Sequence, residues 1–282
     1  MTADGERAAA PEAGAAQFTD YDRIAIVTGG DSGIGRATAV ELARRGFDVG
    51  VTYHSDEEGA RRAEEEVRAA GRRAAVRRQD LGDPQRGAEV VEELIADLGG
   101  VGVLVNNAGV GAEASLLETS YAEWREVLSV DLDGPFLCAK AAATRMRDAG
   151  RGGRIINVTS VHEEYPRVGA GPYCAAKGGL KMLSRVLAVE LSLYGITVNT
   201  VAPGEIATPM TGQHERPPAP DSRAGYPLAR PGDAREVAAA VAFLAEPAAS
   251  YVTGASLFVD GGLSMMGPQA GGALADPEWR AG

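Results

Sequence analysis

Tyr173 and Lys177 stand four residues apart in Tyr-Cys-Ala-Ala-Lys, a spacing that puts both side chains on one face of a helix. A free tyrosine hydroxyl has a pKa near ~10 and is a poor base at neutral pH. An ammonium about 4 Å away, at an effective dielectric of ~20, contributes about 4 kcal/mol, which is what brings a phenolate within reach of neutrality. The pair can therefore act as a general acid/base, with Tyr173 carrying the proton. The chain holds 28 Lys plus Arg, of which Lys140, Lys177 and Lys181 are the lysines, so a chain that nearly always uses Arg places a compact point charge here. Thirteen residues before Tyr173, Ser160 closes the β-branched run 155–159. A hydroxyl at a strand end can hydrogen-bond the oxygen with which Tyr173 exchanges its proton. Thr159 competes for that role but should face the other way on a strand.

A second pattern supplies a place for a cofactor. Thr28-Gly29-Gly30-Asp31-Ser32-Gly33-Ile34-Gly35 follows a β-branched run and opens a helical pattern. Glycines let backbone N–H groups approach a pyrophosphate, and the helix N-terminus adds its positive dipole. The spacing is not G-x-G-x-x-G, and an ordinary glycine-rich turn is the alternative. Its place after the first strand favours a dinucleotide. The adenosine ribose should meet the end of the second strand, ~20 residues further on. That position is Tyr53, followed by His54 and Ser55, with no carboxylate to hold the ribose hydroxyls. Ser32, His54 and Ser55 could donate to a 2′-phosphate, which favours NADP(H) over NAD(H). With a nicotinamide in the cradle, the chemistry becomes hydride transfer to or from a carbonyl or secondary alcohol carbon.

The elements that must position these residues alternate. Strands are expected at 24–28, 49–53, 74–78, 103–105, 155–159, 197–201 and 256–259, with helices at 34–45, 57–70, 85–98, 121–148, 173–193 and 234–244. Short apolar strands alternating with amphipathic helices predict one α/β domain, a doubly wound parallel sheet of about seven strands with helices on both faces. Its ligand crevice lies at the C-terminal strand ends. The domain is expected over 21–264. Residues 1–20 read as a disordered extension, 265–282 as a C-terminal tail, and the Pro-rich stretch 211–228 as a lid. That lid, with Glu163, Glu164, Tyr165 and Arg167, is expected to wall the substrate pocket.

Composition narrows the partners. The chain has 282 residues and a formal charge of −11, which argues against nucleic acid or an anionic membrane. Arg72, Arg73, Arg77 and Arg78 sit among acidic residues and read as solvated faces. Cys138 and Cys174 make no disulfide framework, and His54, His162 and His214 show no metal-ligand spacing. No apolar run reaches the ~20 residues a bilayer requires, and residues 1–17 lack the pattern of a signal peptide. A cytoplasmic enzyme with a small-molecule substrate and no metal is the expectation. A non-catalytic dinucleotide sensor should show damage to the Ser-Tyr-Lys set, and none is visible.

Taken together, the motifs resemble those of the short-chain dehydrogenase/reductase family over Tyr21 to about Ser264. Thr28–Gly35 is similar to its T-G-x-x-x-G-x-G, Asn106-Asn107-Ala108-Gly109 to its N-N-A-G, and Ser160 with Tyr173-x-x-x-Lys177 to its active-site set. The resemblance implies a Rossmann-type fold and further cofactor contacts. Asp80 and Leu81 would meet adenine, Asn107 would brace the fourth strand beside Ala108 and Gly109, and Lys177 would hold the nicotinamide ribose. Pro203, Gly204, Ile206 and Thr208 would hold the nicotinamide end. It also implies a homotetramer, through 173–193 and the closing strand. Ser160-Val161-His162-Glu163 and Tyr251-Val252-Thr253-Gly254 look like bacterial glucose 1-dehydrogenases, with 3-oxoacyl-carrier-protein reductases close behind. One position departs: Asp131 stands where the family usually carries an Asn that supports a water chain from the lysine to solvent. Asp accepts the same hydrogen bonds but cannot donate, and it adds negative charge near Lys177; the relay is expected to survive.

Overall fold

Apolar β-branched runs form strands shielded on both faces, and the amphipathic stretches between them form the helices that shield them. The computed structural model describes residues 20–213, 219 and 222–276. The expected N-terminal extension therefore lies outside the described residues except for Asp20, as do His214, Pro217, Pro218 and Pro220. In chain order the elements are β1 (Ile24–Val27), α1 (Gly33–Arg44), β2 (Asp48–Tyr53), α2 (Glu57–Ala69), β3 (Ala74–Arg78), α3 (Pro84–Leu98) and β4 (Val103–Asn106). Then come α4 (Tyr121–Leu128), α5 (Gly134–Ala149), β5 (Gly153–Val158), α6 (Gly171–Glu190), β6 (Ile196–Pro203), β7 (Ile206–Ala207), β8 (Gly232–Asp233), α7 (Ala234–Ala245), β9 (Ser256–Val259) and α8 (Pro268–Ala275).

Seven strands pair in parallel in the order β3-β2-β1-β4-β5-β6-β9. The chain winds outward from β1 in one direction and from β4 in the other, so a crevice opens where the direction reverses. Alternate strand residues feed two cores. Ala25, Val27, Val103 and Val105 pack with Leu42 of α1, Val67 of α2 and Val241 of α7. Ile26, Leu104, Ile155 and Val198 pack on the other face with Leu94 of α3 and Met146 of α5. The Arg-rich edge is paired rather than open: Arg72 and Arg73 meet Asp48, and Arg77 meets Glu93 and Asp97. Among the described residues no helix is long and apolar enough to cross a membrane.

One expectation needs correction, and two features add to what the sequence shows. The helix expected over 121–148 is broken by a wide π-helical turn, Ser129–Asp133, closed by Gly134 N–H donating to the Ser129 carbonyl. Pro135 follows, and its ring can neither donate to nor fit against the carbonyl four residues back, at Asp131, so the wider turn absorbs the mismatch. The short parallel pair β7–β8 was not anticipated; two-residue strands carry no periodicity to read. The stretch read as a tail contains α8.

Candidate active site

The glycine cradle is built by close approach. Gly29 (φ +60°) and Gly33 (φ +50°) occupy left-handed backbone, where glycine is at ease. A Cβ on Gly35 would lie 2.0 Å from the Gly29 carbonyl oxygen and 2.5 Å from Asn107 Nδ2, so α1 seats against the loop only through a glycine. Asn107 Nδ2 donates to the carbonyls of Thr28 (3.0 Å) and Gly29 (2.8 Å), and Thr28 Oγ1 accepts from the backbone N–H of Asn107 (3.0 Å) and Ala108 (3.1 Å). Asn107 thus ties the end of β4 to the glycine loop. Asn106 adds a brace to the neighbour on the other side, its Nδ2 donating to Asn157 Oδ1 on β5 at 2.8 Å. Ser32, at the N-cap of α1, makes no side-chain cap, which leaves that helix end to a ligand. A backbone approach that only glycine permits, facing an uncapped helix N-terminus, fits a dinucleotide pyrophosphate.

One cleft of ≈ 1220 Å³ runs along the C-terminal strand ends. Gly29, Asp31, Ser32, Gly33, Ile34 and Gly35 line its middle, with Asn107, Ala108 and Gly109 opposite. Tyr53, His54, Ser55, Asp80 and Leu81 line one end, and Ser160, Tyr173, Lys177, Pro203, Gly204, Ile206 and Thr208 the other. At the first end the C-terminus of β2 carries no carboxylate, yet Asp31 and Asp80 line the same space. Asp80 Oδ2 lies 3.7 Å from His54 Nε2, and Arg78 Nε donates to the His54 carbonyl at 3.0 Å. Burial pushes the Asp31 carboxyl up, and the Asp56 charge adds to it.

At the other end, Ser160 is extended (φ −171°) two residues beyond β5, and its Oγ accepts the His162 backbone N–H at 3.2 Å. That leaves the serine proton for another acceptor. The Thr159 hydroxyl is engaged with the Val201 carbonyl at 3.1 Å, as strand alternation implies. Lys177 Nζ lies 5.4 Å from the Tyr173 ring centroid and 3.4 Å from the Val158 carbonyl. Asp131 does not line the cleft. It is fully buried beneath Lys177, with Oδ2 3.1 Å from Nζ and Oδ1 accepting the Val110 N–H at 2.8 Å. The contact through Oδ2 is an ion pair without hydrogen-bond alignment. Burial pushes Asp131 up, with Lys177 opposing. Burial pulls Lys177 down, but the Asp131 carboxylate and then Tyr173 outweigh it, so its net shift is upward and the ammonium keeps its charge.

The pocket wall differs from expectation. Arg167 does line the cleft, paired with Glu113 at 3.2 Å. Glu163 does not: a 3-10 turn, Val161–Glu163, rolls it under the active site, where it accepts from Ser256 Oγ (2.6 Å) and meets Lys181 (3.2 Å). Glu164 also pairs with Lys181, and Tyr165 packs edge-on against Phe258. The same turn carries His162 into the cleft beside Tyr173, their ring centroids 6.3 Å apart. Glu205 was also missed. It follows Pro203-Gly204 in the cleft wall, and its carboxylate holds Arg223 (Nε 3.0 Å from both oxygens) and Gln213 (2.8 Å). Hydrogen bonds from Arg223 hold that carboxyl below the usual range.

A doubly wound sheet with a dinucleotide cradle and a Ser-Tyr-Lys set at its carboxyl edge defines a nicotinamide-dependent oxidoreductase. A family profile described as Enoyl-(Acyl carrier protein) reductase matches residues 29–264. The chain is 47% identical to the acetoin dehydrogenase YohF of Salmonella typhimurium, covering 88% of this chain and 98% of that one, with a TM-score of 0.85. It is 49% identical to an acetoin dehydrogenase from Enterobacter cloacae (88% and 98% covered, TM-score 0.83). It is 39% identical to a blue fluorescent protein from a metagenomic library solved in complex with NADPH (88% and 99% covered, TM-score 0.78). Glucose 1-dehydrogenase 2 of Bacillus subtilis is 37% identical over 245 residues, 86% of this chain and 95% of its own. The chain belongs to the short-chain dehydrogenase/reductase family. It is an NAD(P)-dependent oxidoreductase acting on CH–OH and C=O groups.

Proposed function

We propose that Tyr173 is the proton carrier in reactions of a small, polar carbonyl compound or its alcohol, with Ser160 orienting the reacting oxygen. The observation that carries this reading is the Tyr173–Lys177 pair lining the same cleft end as a serine whose proton is uncommitted. When bound, the dinucleotide supplies or accepts the hydride. Gly29, Ser32, Gly33 and Ile34 would hold its pyrophosphate, Pro203, Gly204, Ile206 and Thr208 its nicotinamide end, and Lys177 its ribose. In reduction Ser160 donates to the substrate oxygen while Tyr173 passes it a proton, and Lys177 stabilises the phenolate left behind. Oxidation runs the same steps backwards. Relatives named for acetoin favour a short hydroxyketone; a glucose-type sugar is the second reading, favoured by the glucose dehydrogenase relative. A screen of acetoin, glucose and a β-ketoester for cofactor-coupled absorbance change tests it, and turnover of none would overturn it.

Asp131 acts through Lys177 as a positioning residue. Because Asn accepts the same Val110 N–H and cannot undo the packing, Asp131→Asn should keep kcat within about tenfold of wild type. A rise beyond that would mean the carboxylate restrains the relay.

Ser32, His54 and Ser55, with no carboxylate at the end of β2, favour NADP(H), and the NADPH-bound relative is consistent with this. Fluorescence titration should give a lower Kd for NADPH than for NADH. The reverse order would assign Asp31 or Asp80 to the ribose hydroxyls of NAD(H). Exposed Met182, Val186 and Val189 along α6, Leu193 in the turn that follows it, and the edge strand β9 offer the surfaces for a homotetramer. The catalytic unit is read as 21–264, working in the cytoplasm.

A further inference from the structure

His162 is a polar side chain in the cleft that the chemistry above does not use. Its position follows from the turn it sits on. Ser160 caps the 3-10 turn Val161–Glu163, so a single turn presents both the serine hydroxyl and the imidazole to the same space. The turn is pinned from below by the buried Glu163 carboxylate on Ser256 and Lys181, so the ring is held in place before any substrate arrives. Nδ1 lies 2.9 Å from the Tyr165 carbonyl, which can only accept. In the neutral ring Nδ1 therefore carries the hydrogen, and Nε2 is left as an acceptor. Among the described residues Nε2 has no hydrogen-bond partner. Glu113 and Arg167, two charged groups of the cleft lining, are paired with each other, which suits a neutral substrate.

We propose that His162 determines specificity by accepting a hydrogen bond from a hydroxyl on the carbon next to the reacting one, so that the preferred substrates are vicinal hydroxy-carbonyl compounds. This rests on the reading of Ser160 and Tyr173 given above. Ser160 and Tyr173 fix the reacting oxygen, and Nε2, two residues along the same turn, meets the neighbouring one. A substrate lacking that hydroxyl leaves Nε2 desolvated and unpaired, which disfavours it.

The test compares acetoin with 2-butanone, which differs by that one hydroxyl, in wild type, His162→Leu and His162→Gln, using NADPH and NADH. Wild type should show a kcat/KM for acetoin about tenfold or more above that for 2-butanone. His162→Leu should erase the difference by slowing acetoin alone, with 2-butanone within about threefold of wild type. His162→Gln, which retains an acceptor, should recover part of the preference, and this guards against misfolding of the leucine variant. Equal losses on both ketones would reduce His162 to packing against Tyr173 and overturn the proposal. So would a wild type that reduces both equally, while leaving the Tyr173 chemistry standing. A wild type that binds NADPH yet reduces neither would overturn the proposal, and turnover of glucose or a β-ketoester by the same protein would leave the reading of Ser160 and Tyr173 standing.

Discussion

Tyr173→Phe is expected to lower kcat by about 10³-fold while leaving cofactor affinity within about threefold. The phenyl ring keeps the volume and the contacts with Lys177 and His162, so packing in α6 is unaltered. What it removes is the one hydroxyl in the set that can exchange a proton with the substrate oxygen. Ser160 cannot replace it, since an unactivated serine has no base beside it: its Oγ contact is a backbone N–H, which donates. Steady-state kinetics with a titration of cofactor fluorescence check this. A variant with near wild-type kcat would remove Tyr173 from the mechanism. One with lost cofactor binding would instead place its hydroxyl in the cradle.

The second large effect is expected at Gly35. In Gly35→Ala the new methyl would lie 2.0 Å from the Gly29 carbonyl oxygen and 2.5 Å from Asn107 Nδ2. Both are held: the Asn107 amide is bonded to that same carbonyl at 2.8 Å, so relief requires the glycine loop and the end of β4 to separate. Forced overpacking of this kind costs about 1–3 kcal/mol or more. Here the displaced atoms are also those that would cradle the pyrophosphate. Cofactor affinity should fall about 100-fold or more, equivalent to about 3 kcal/mol, with a lower Tm. Gly111→Ala is the control, because it lines the same cleft but its Cβ would meet nothing within 4 Å. If Gly35→Ala bound the dinucleotide as Gly111→Ala does, the cradle would lie elsewhere.

The parts of the fold that were legible in the sequence are the local ones. Strand and helix positions follow from periodicity within a dozen residues, and the glycine run and the Tyr173–Lys177 spacing are contiguous signals. Ser160 is legible because a strand end is recognisable, and its neighbour Thr159 has its hydroxyl taken up by the Val201 carbonyl. What stayed hidden depends on pairs far apart in the chain. Glu163 reads as a loop carboxylate until β9 brings Ser256 beneath it, ninety-three positions along. Glu205 gains its role from Arg223 and Gln213, which no periodicity links to it. The break at Ser129–Asp133 was signalled locally by Gly134-Pro135, but a π-helical turn preserves enough helical spacing to pass as one helix. Asp131 was flagged through the resemblance, yet its burial under Lys177 became visible only in three dimensions.

The most direct test of the site as a whole is transfer of label from cofactor to product. Reduced dinucleotide carrying deuterium at both hydrogen positions of the dihydronicotinamide C4 is supplied with acetoin, and the product is weighed by mass spectrometry for wild type and Tyr173→Phe. The expected result is a single deuterium on the newly formed carbinol carbon with wild type, and the same label appearing about 10³-fold more slowly with the variant at matched cofactor occupancy. Unlabelled product from wild type, or label transfer undiminished in Tyr173→Phe, would contradict the assignment of this cleft to hydride transfer with Tyr173 as the proton carrier.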